Sequence, residues 1–90
     1  MPNYKRKRDA NERAIIDALQ AVGCAVIQEN NVDLYVMYQG KWHPMEVKTR
    51  YGSRTRYQES LHAQLAEYGY EIPIVKTVEE ALDIIGIRQS

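Results

Sequence analysis

The chain has one cysteine in 90 residues, so it has no internal disulfide framework. A lone thiol suits a reducing compartment, and Cys24, just ahead of a strand-like run, reads as a small buried residue. No apolar run approaches the roughly 20 residues of a membrane span, and the first residues lack the apolar stretch of a secretory signal, so a cytoplasmic setting is expected. There is no repeat, low-complexity tract or linker. One small domain over residues 9–90, preceded by a basic arm at 1–8, is the expected organisation.

Net charge is absent as well: 12 Lys and Arg balance 12 Asp and Glu. The charges are segregated, however. Lys5, Arg6, Lys7, Arg8 and Arg13 cluster at the start, and Lys41, Lys48, Arg50, Arg54 and Arg56 in the middle. The last third is acidic, with Glu59, Glu67, Glu71, Glu79, Glu80 and Asp83. Two basic blocks inside a neutral sum are compatible with a polyanion-binding face and an acidic back; a pair of solvated surfaces is the plainer account.

Punctuation and periodicity predict seven elements. Asp9-Ala10-Asn11-Glu12 has the form of a capping box opening a first helix, whose apolar stripe is Ile15, Ile16, Leu19 and Val22, ended by Gly23. Cys24–Gln28 reads as a strand, 29–31 as a turn, and Val32–Tyr38 and Lys41–Lys48 as a hairpin about Gln39-Gly40. Thr49 to Arg56 reads as a polar, basic loop, and a second helix runs from about Arg56 to Tyr68 before Gly69. Ile72–Val75 is a short strand whose Pro73 demands an edge position. Thr77-Val78-Glu79-Glu80 is a second capping box, opening a helix with Val78, Ala81, Leu82 and Ile85 as its stripe. The order is αβββαβα, an α/β chain in the broad sense (α+β, with a mixed sheet). The right-handed crossover makes the last strand parallel to the third. Pro44 is tolerable in the third strand if the fourth does not reach its level.

The hairpin holds the chemistry. If Tyr38 pairs with Lys41, then Met37 faces Trp42, Leu34 faces Met45, Val32 faces Val47 and Asp33 lies opposite Glu46. Two carboxylates with Cβ atoms roughly 5 Å apart destabilise a hairpin, unless a cation with a taste for oxygen ligands sits between them. Lys48, two residues beyond Glu46, shares its face. The plainer accounts are a surface ion pair for Glu46 and Lys48 and a turn residue for Asp33. Two carboxylates and a lysine on one sheet face suit phosphodiester cleavage. Glu12 sits at the mouth of the first helix's apolar stripe and Gln58 holds the same place on the second, ahead of Leu61, His62 and Leu65. Glu12 fits both a cap and a site; Gln58 also fits a first-turn side chain bonding backbone groups. His62 reads as a half-buried structural residue, and His43, in Trp42-His43-Pro44, as surface or interface. Trp42 and the tyrosines fit either an exposed interface or partly buried packing.

Asp33 followed by Glu46-Val47-Lys48, in this element order, resembles the PD-(D/E)XK nuclease superfamily, and within it most the small virus-type VRR-NUC domains. The resemblance covers roughly residues 9–86 and includes Glu12, Gln58, Gly69 and the run from Ile74 to Leu82. Val32 stands where the motif's proline would be, and the loop after Lys48 departs from the usual Gly- and Asp-rich form. Archaeal-type Holliday junction resolvases share the same core residues.

The resemblance implies a restriction-endonuclease-like core with a four-stranded mixed sheet flanked by helices. It implies a DNA endonuclease using Mg2+ or Mn2+ in a bacterial or phage-infected cell, with no organic cofactor. Asp33, Glu46 and the Val47 carbonyl would hold the ion, with Glu12 contributing directly or through water. Lys48 would act on the attacking water or the transition-state oxygens, and Gln58 would hold Lys48 or a phosphate oxygen. Lys5, Arg6, Lys7, Arg8, Arg50, Arg54 and Arg56 would contact the DNA backbone. With no second domain for reading sequence, selection of branched DNA by a homodimer is the expectation. The rivals are a non-catalytic DNA-binding module on the same fold and an α/β interaction domain binding through its acidic last helix.

Overall fold

A computed structural model of the chain describes residues 10–30, 32–49 and 56–87. The elements are α1 (Glu12–Ala21), β1 (Ala25–Glu29), β2 (Asp33–Tyr38), β3 (Lys41–Val47), α2 (Arg56–Glu67), β4 (Ile74–Val75) and α3 (Val78–Ile84), the expected αβββαβα order. They build an α+β fold with one mixed sheet in the order β1-β2-β3-β4. β1, β2 and β3 are antiparallel neighbours, and β4 runs parallel to β3.

The hairpin takes the expected register, with Tyr38 against Lys41, Met37 against Trp42 and Leu34 against Met45. Gln39 and Gly40 both have positive φ, 50° and 79°, as a two-residue turn of type I′ requires. β4 meets β3 only at Glu46–Ile74 and Val47–Val75, so Pro44 lies outside that ladder and its missing N–H costs no bond there. Pro73 precedes β4 and uses its carbonyl, which accepts from the Glu46 N–H at 2.9 Å.

One sheet face carries Leu34, Val36, Met45 and Val47, all buried. Ile15, Ile16 and Leu19 of α1, together with Ala81 and Leu82 of α3 and the following Ile85, complete a single core with them. These are the stripes that the 3.6-residue spacing marks out, except that Val22 is exposed and Val78 only half-buried. Cys24 joins the same core, and burial pushes its thiol pKa up. Each helix ends on a glycine with positive φ; after α1, Gly23 (φ 96°) lets the N–H of Cys24 return to the Leu19 carbonyl at 3.0 Å.

The helices differ from expectation at two points. α1 begins at Glu12 with Asn11 in the N-cap position; Asp9, the expected cap, lies outside the described residues. The Asn11 side chain makes no cap bond; its amide donates to the carbonyls of Lys48 (3.1 Å) and Lys76 (2.6 Å), tying α1 to the ends of β3 and β4. The Glu12 carboxylate accepts from Gln28 Nε2 at 2.9 Å. The second point concerns α2: Leu61 and Leu65 are only half-buried, and Gln58 is its sole buried residue. The core is closed by α1 and α3 on the other face of the sheet, and no residue of α2 belongs to it. At α3, by contrast, Thr77 Oγ1 accepts from the Glu80 N–H at 3.1 Å, while the Glu80 carboxylate reaches back to the N–H of Lys76 at 2.7 Å, one residue before the expected partner.

Candidate active site

Five polar residues are buried among the described residues: Glu12, Asp33, Glu46, Lys48 and Gln58. All five stand among the residues marked out by spacing and motif. Asp33 and Glu46 are fully buried, as is Gln58, and Lys48 is 7% exposed. In so small a domain such burial of charge is costly unless each group is paired.

Hydrogen bonds link three of them. Lys48 Nζ donates to Gln58 Oε1 at 2.9 Å, and Gln58 Nε2 donates to Asp33 Oδ1 at 3.2 Å. The amide of Gln58 thus has a fixed sense, oxygen toward the ammonium and nitrogen toward the carboxylate. Both of these partners are side chains. The other Asp33 oxygen, Oδ2, accepts from the Val47 N–H at 2.9 Å.

That last bond explains a departure from the expected pairing. The β2–β3 ladder ends at Leu34–Met45, so Asp33 and Glu46 do not form a further backbone pair. Asp33 has φ 94°, which turns the strand's start away from β3. Continuing the register, the Val47 N–H would have met Val32; the Asp33 carboxylate takes that hydrogen instead. Asp33 still pairs with Glu29 across the β1–β2 ladder. Glu29, expected in the turn, is the last residue of β1, and its carboxylate accepts from the Val32 N–H at 3.1 Å. Positive φ is uncommon outside glycine and strained, although aspartate tolerates it better than most residues. Such strain collects at functional sites.

Glu46 meets a residue that sequence reasoning set aside. His62 Nε2 lies 2.8 Å from Glu46 Oε1, and the His62 side chain is 11% exposed. The signal was in the spacing: His62 follows Gln58 by four residues on α2, so both point to the same side. His43, half-buried, pairs with Val36 in the hairpin and has no part in this group.

Glu12 is buried at the N-terminal end of α1, and its carboxylate accepts from Gln28, whose ladder partner is Leu34, a core residue. Among the described residues no three His, Cys, Asp or Glu side chains form a ready ion site. The donors that suit a hard divalent cation are the carboxylates of Asp33 and Glu46 with the Val47 carbonyl, oxygen ligands of the kind Mg2+ and Mn2+ prefer. Arg56 is exposed at the start of α2, while Lys5, Arg6, Lys7, Arg8, Arg50 and Arg54 lie outside the described residues.

No protein-family model matches this chain, and neither a curated protein nor a solved structure matches it. No helix among the described residues is long and apolar enough to cross a membrane.

Proposed function

We propose that the chain is a metal-dependent DNA endonuclease of the PD-(D/E)XK type, selective for branched DNA and acting as a homodimer. One observation carries this reading: Asp33, Glu46 and Lys48 are all buried, Asp33 and Lys48 are linked through Gln58, Glu46 is held by His62 from the same helix, and the backbone is strained at Asp33. Apolar residues would build a more stable core at these positions. Charge held there at a cost is the mark of a site.

In this reading Asp33, Glu46 and the Val47 carbonyl hold Mg2+ or Mn2+, with Glu12 at the periphery. The ion, when bound, supplies an acidified water and offsets charge on the scissile phosphate. Lys48, fixed by Gln58, presents its ammonium to the attacking water or to the oxygens that gain charge. Burial strengthens that interaction, because little solvent screens it. Arg56, with Arg50, Arg54 and the basic arm, contacts the DNA backbone.

A second reading has its own support. The two Asp33 oxygens already accept hydrogen bonds and Glu46 already meets His62, so the carboxylates have partners without an ion. A non-catalytic DNA-binding module on this fold would have the same appearance. Incubating the protein with a labelled four-way junction and a matching linear duplex, in Mg2+, Mn2+ or EDTA, separates the two. Metal-dependent, symmetric nicking of the junction alone is the expected result. Cutting of both substrates would remove the junction preference; binding without cutting in either metal would favour the module. Lys48→Ala and Glu46→Ala should each abolish cleavage and retain DNA binding in a mobility-shift assay.

A further inference from the structure

His62 is the polar residue at the site to which the proposed reaction gives no task. It lies on the same side of α2 as Gln58, and the two reach different carboxylates. Gln58 Nε2 donates to Asp33 at 3.2 Å, and His62 Nε2 lies 2.8 Å from Glu46 Oε1. A carboxylate oxygen is an acceptor, so the ring hydrogen in this contact belongs on Nε2. The contact is well sheltered: the Glu46 side chain is 0% and that of His62 11% exposed. Its helix contributes no residue to the apolar core, and Gln58 is the only buried residue of α2.

We propose that His62 is a positioning residue for Glu46, holding one carboxylate oxygen so that the group meets a divalent ion in a single orientation. The proposal rests on the metal-dependent reading above. The physical reason is general. A carboxylate on a flexible side chain loses rotamer freedom when it binds an ion, and a hydrogen bond that fixes it beforehand removes that cost; such supporting bonds are worth roughly 10–100-fold in metal affinity. One helix face would then orient both acidic ligands, one through an amide and one through an imidazole. This also accounts for how α2 sits over the sheet: its inward contacts are the contacts that order the site.

The test is Mn2+ binding to the DNA-free protein, followed by electron paramagnetic resonance, for wild type, Glu46→Gln, His62→Ala, His62→Phe and His62→Gln. Wild type should bind, and Glu46→Gln should lose most of that affinity. His62→Ala and His62→Phe should each bind at least about tenfold more weakly. His62→Gln keeps a donor of similar reach and should recover to within about threefold of wild type, the small penalty of a less rigid donor. Phe keeps the ring volume, so it stands in if the alanine variant does not fold. Hydrogen exchange of α2 supplies the control. Faster exchange in His62→Phe with unchanged Mn2+ affinity would make the contact merely structural and overturn the proposal. A wild type and Glu46→Gln pair that behave as expected, with His62→Ala binding like wild type, would overturn this proposal alone. A wild type that binds no Mn2+ would overturn the metal reading and this proposal with it.

Discussion

Asp33 and Glu46 are both fully buried acids, yet their surroundings make opposite demands on a neutral substitute. Asp33 accepts on both oxygens, from the Val47 N–H and from Gln58 Nε2. Asparagine offers one acceptor there and sets an NH2 against the remaining donor. Asp33→Asn should therefore lower stability by about 1–3 kcal/mol, the cost of a buried donor left without a partner. Glu46→Gln keeps an oxygen for His62 and removes a buried charge, so its melting temperature should stay level or rise. Cleavage should nonetheless fall by about a thousandfold or more, the several kcal/mol that a metal ligand supplies. Thermal unfolding and single-turnover cleavage on the same preparations check both halves. A large fall in stability for Glu46→Gln would mean that the charge serves the fold. Four members of the group were legible in the sequence because strand register and the Glu-x-Lys spacing place Asp33, Glu46 and Lys48, and the helical stripe places Gln58. The positive φ of Asp33 was not legible. No local pattern in the sequence records it.

At the scale of elements, the sequence is most legible where one short-range interaction decides. The Gln39-Gly40 turn, the Thr77 cap and the glycine helix ends are of this kind. The turn has room for improvement, since a residue with φ 50° at the first central position is better served by asparagine than by glutamine. Gln39→Asn should raise stability by a few tenths of a kcal/mol and Gly40→Ala should lower it by about 1–2 kcal/mol, the cost of a β-carbon in that conformation; urea unfolding measures both. The start of α1 was less legible: the helix begins at Glu12, Asp9 lies outside the described residues, and Asn11 spends its side chain on the Lys48 and Lys76 carbonyls, long-range partners that no local motif records. α2 shows the same limit from the other side. Its stripe promises burial, but the facing sheet offers carboxylates there, so the helix is held by Gln58 and His62. Few buried apolar side chains mean a low cost of local opening. Amides of α2 should therefore exchange faster than those of α1, whose Ile15, Ile16 and Leu19 are buried. Equal protection would mean that the polar contacts alone hold α2 as firmly as a core.

For the whole molecule the question is how a neutral chain would hold DNA. The acidic residues Glu59, Glu67, Glu71, Glu79, Glu80 and Asp83 are all exposed, and Lys48 is buried, so it adds little to a surface field. On the outer side of the hairpin, Ile27, Tyr35, Trp42, Pro44 and Tyr70 line an apolar groove, and Trp42 is 53% exposed. That groove offers no charge to a phosphate. Steering must then come from the two basic blocks, Lys5 to Arg8 and Arg50 to Arg56, which differ in what they should do. The first lies outside the described residues, and its expected part is phosphate contact without sequence information. The second follows Lys48 directly and should position the strand that is cut. Replacing Lys5, Arg6, Lys7 and Arg8 with alanine should reduce the slope of log affinity against log salt by about 0.9 for each phosphate that is no longer neutralised, and leave cleavage of saturating substrate near wild type. Replacing Arg50, Arg54 and Arg56 should reduce both the slope and the rate at saturation, because misplacing the reacting phosphate by about 1 Å costs on the order of a hundredfold. Binding titrations from low to moderate salt, paired with single-turnover rates, give the two readouts independently. An unchanged slope in the first variant would make residues 5–8 a solvated tail. An unchanged rate in the second would place the scissile phosphate away from the Arg50–Arg56 segment, and so away from the Lys48 end of β3 where the proposed reaction needs it.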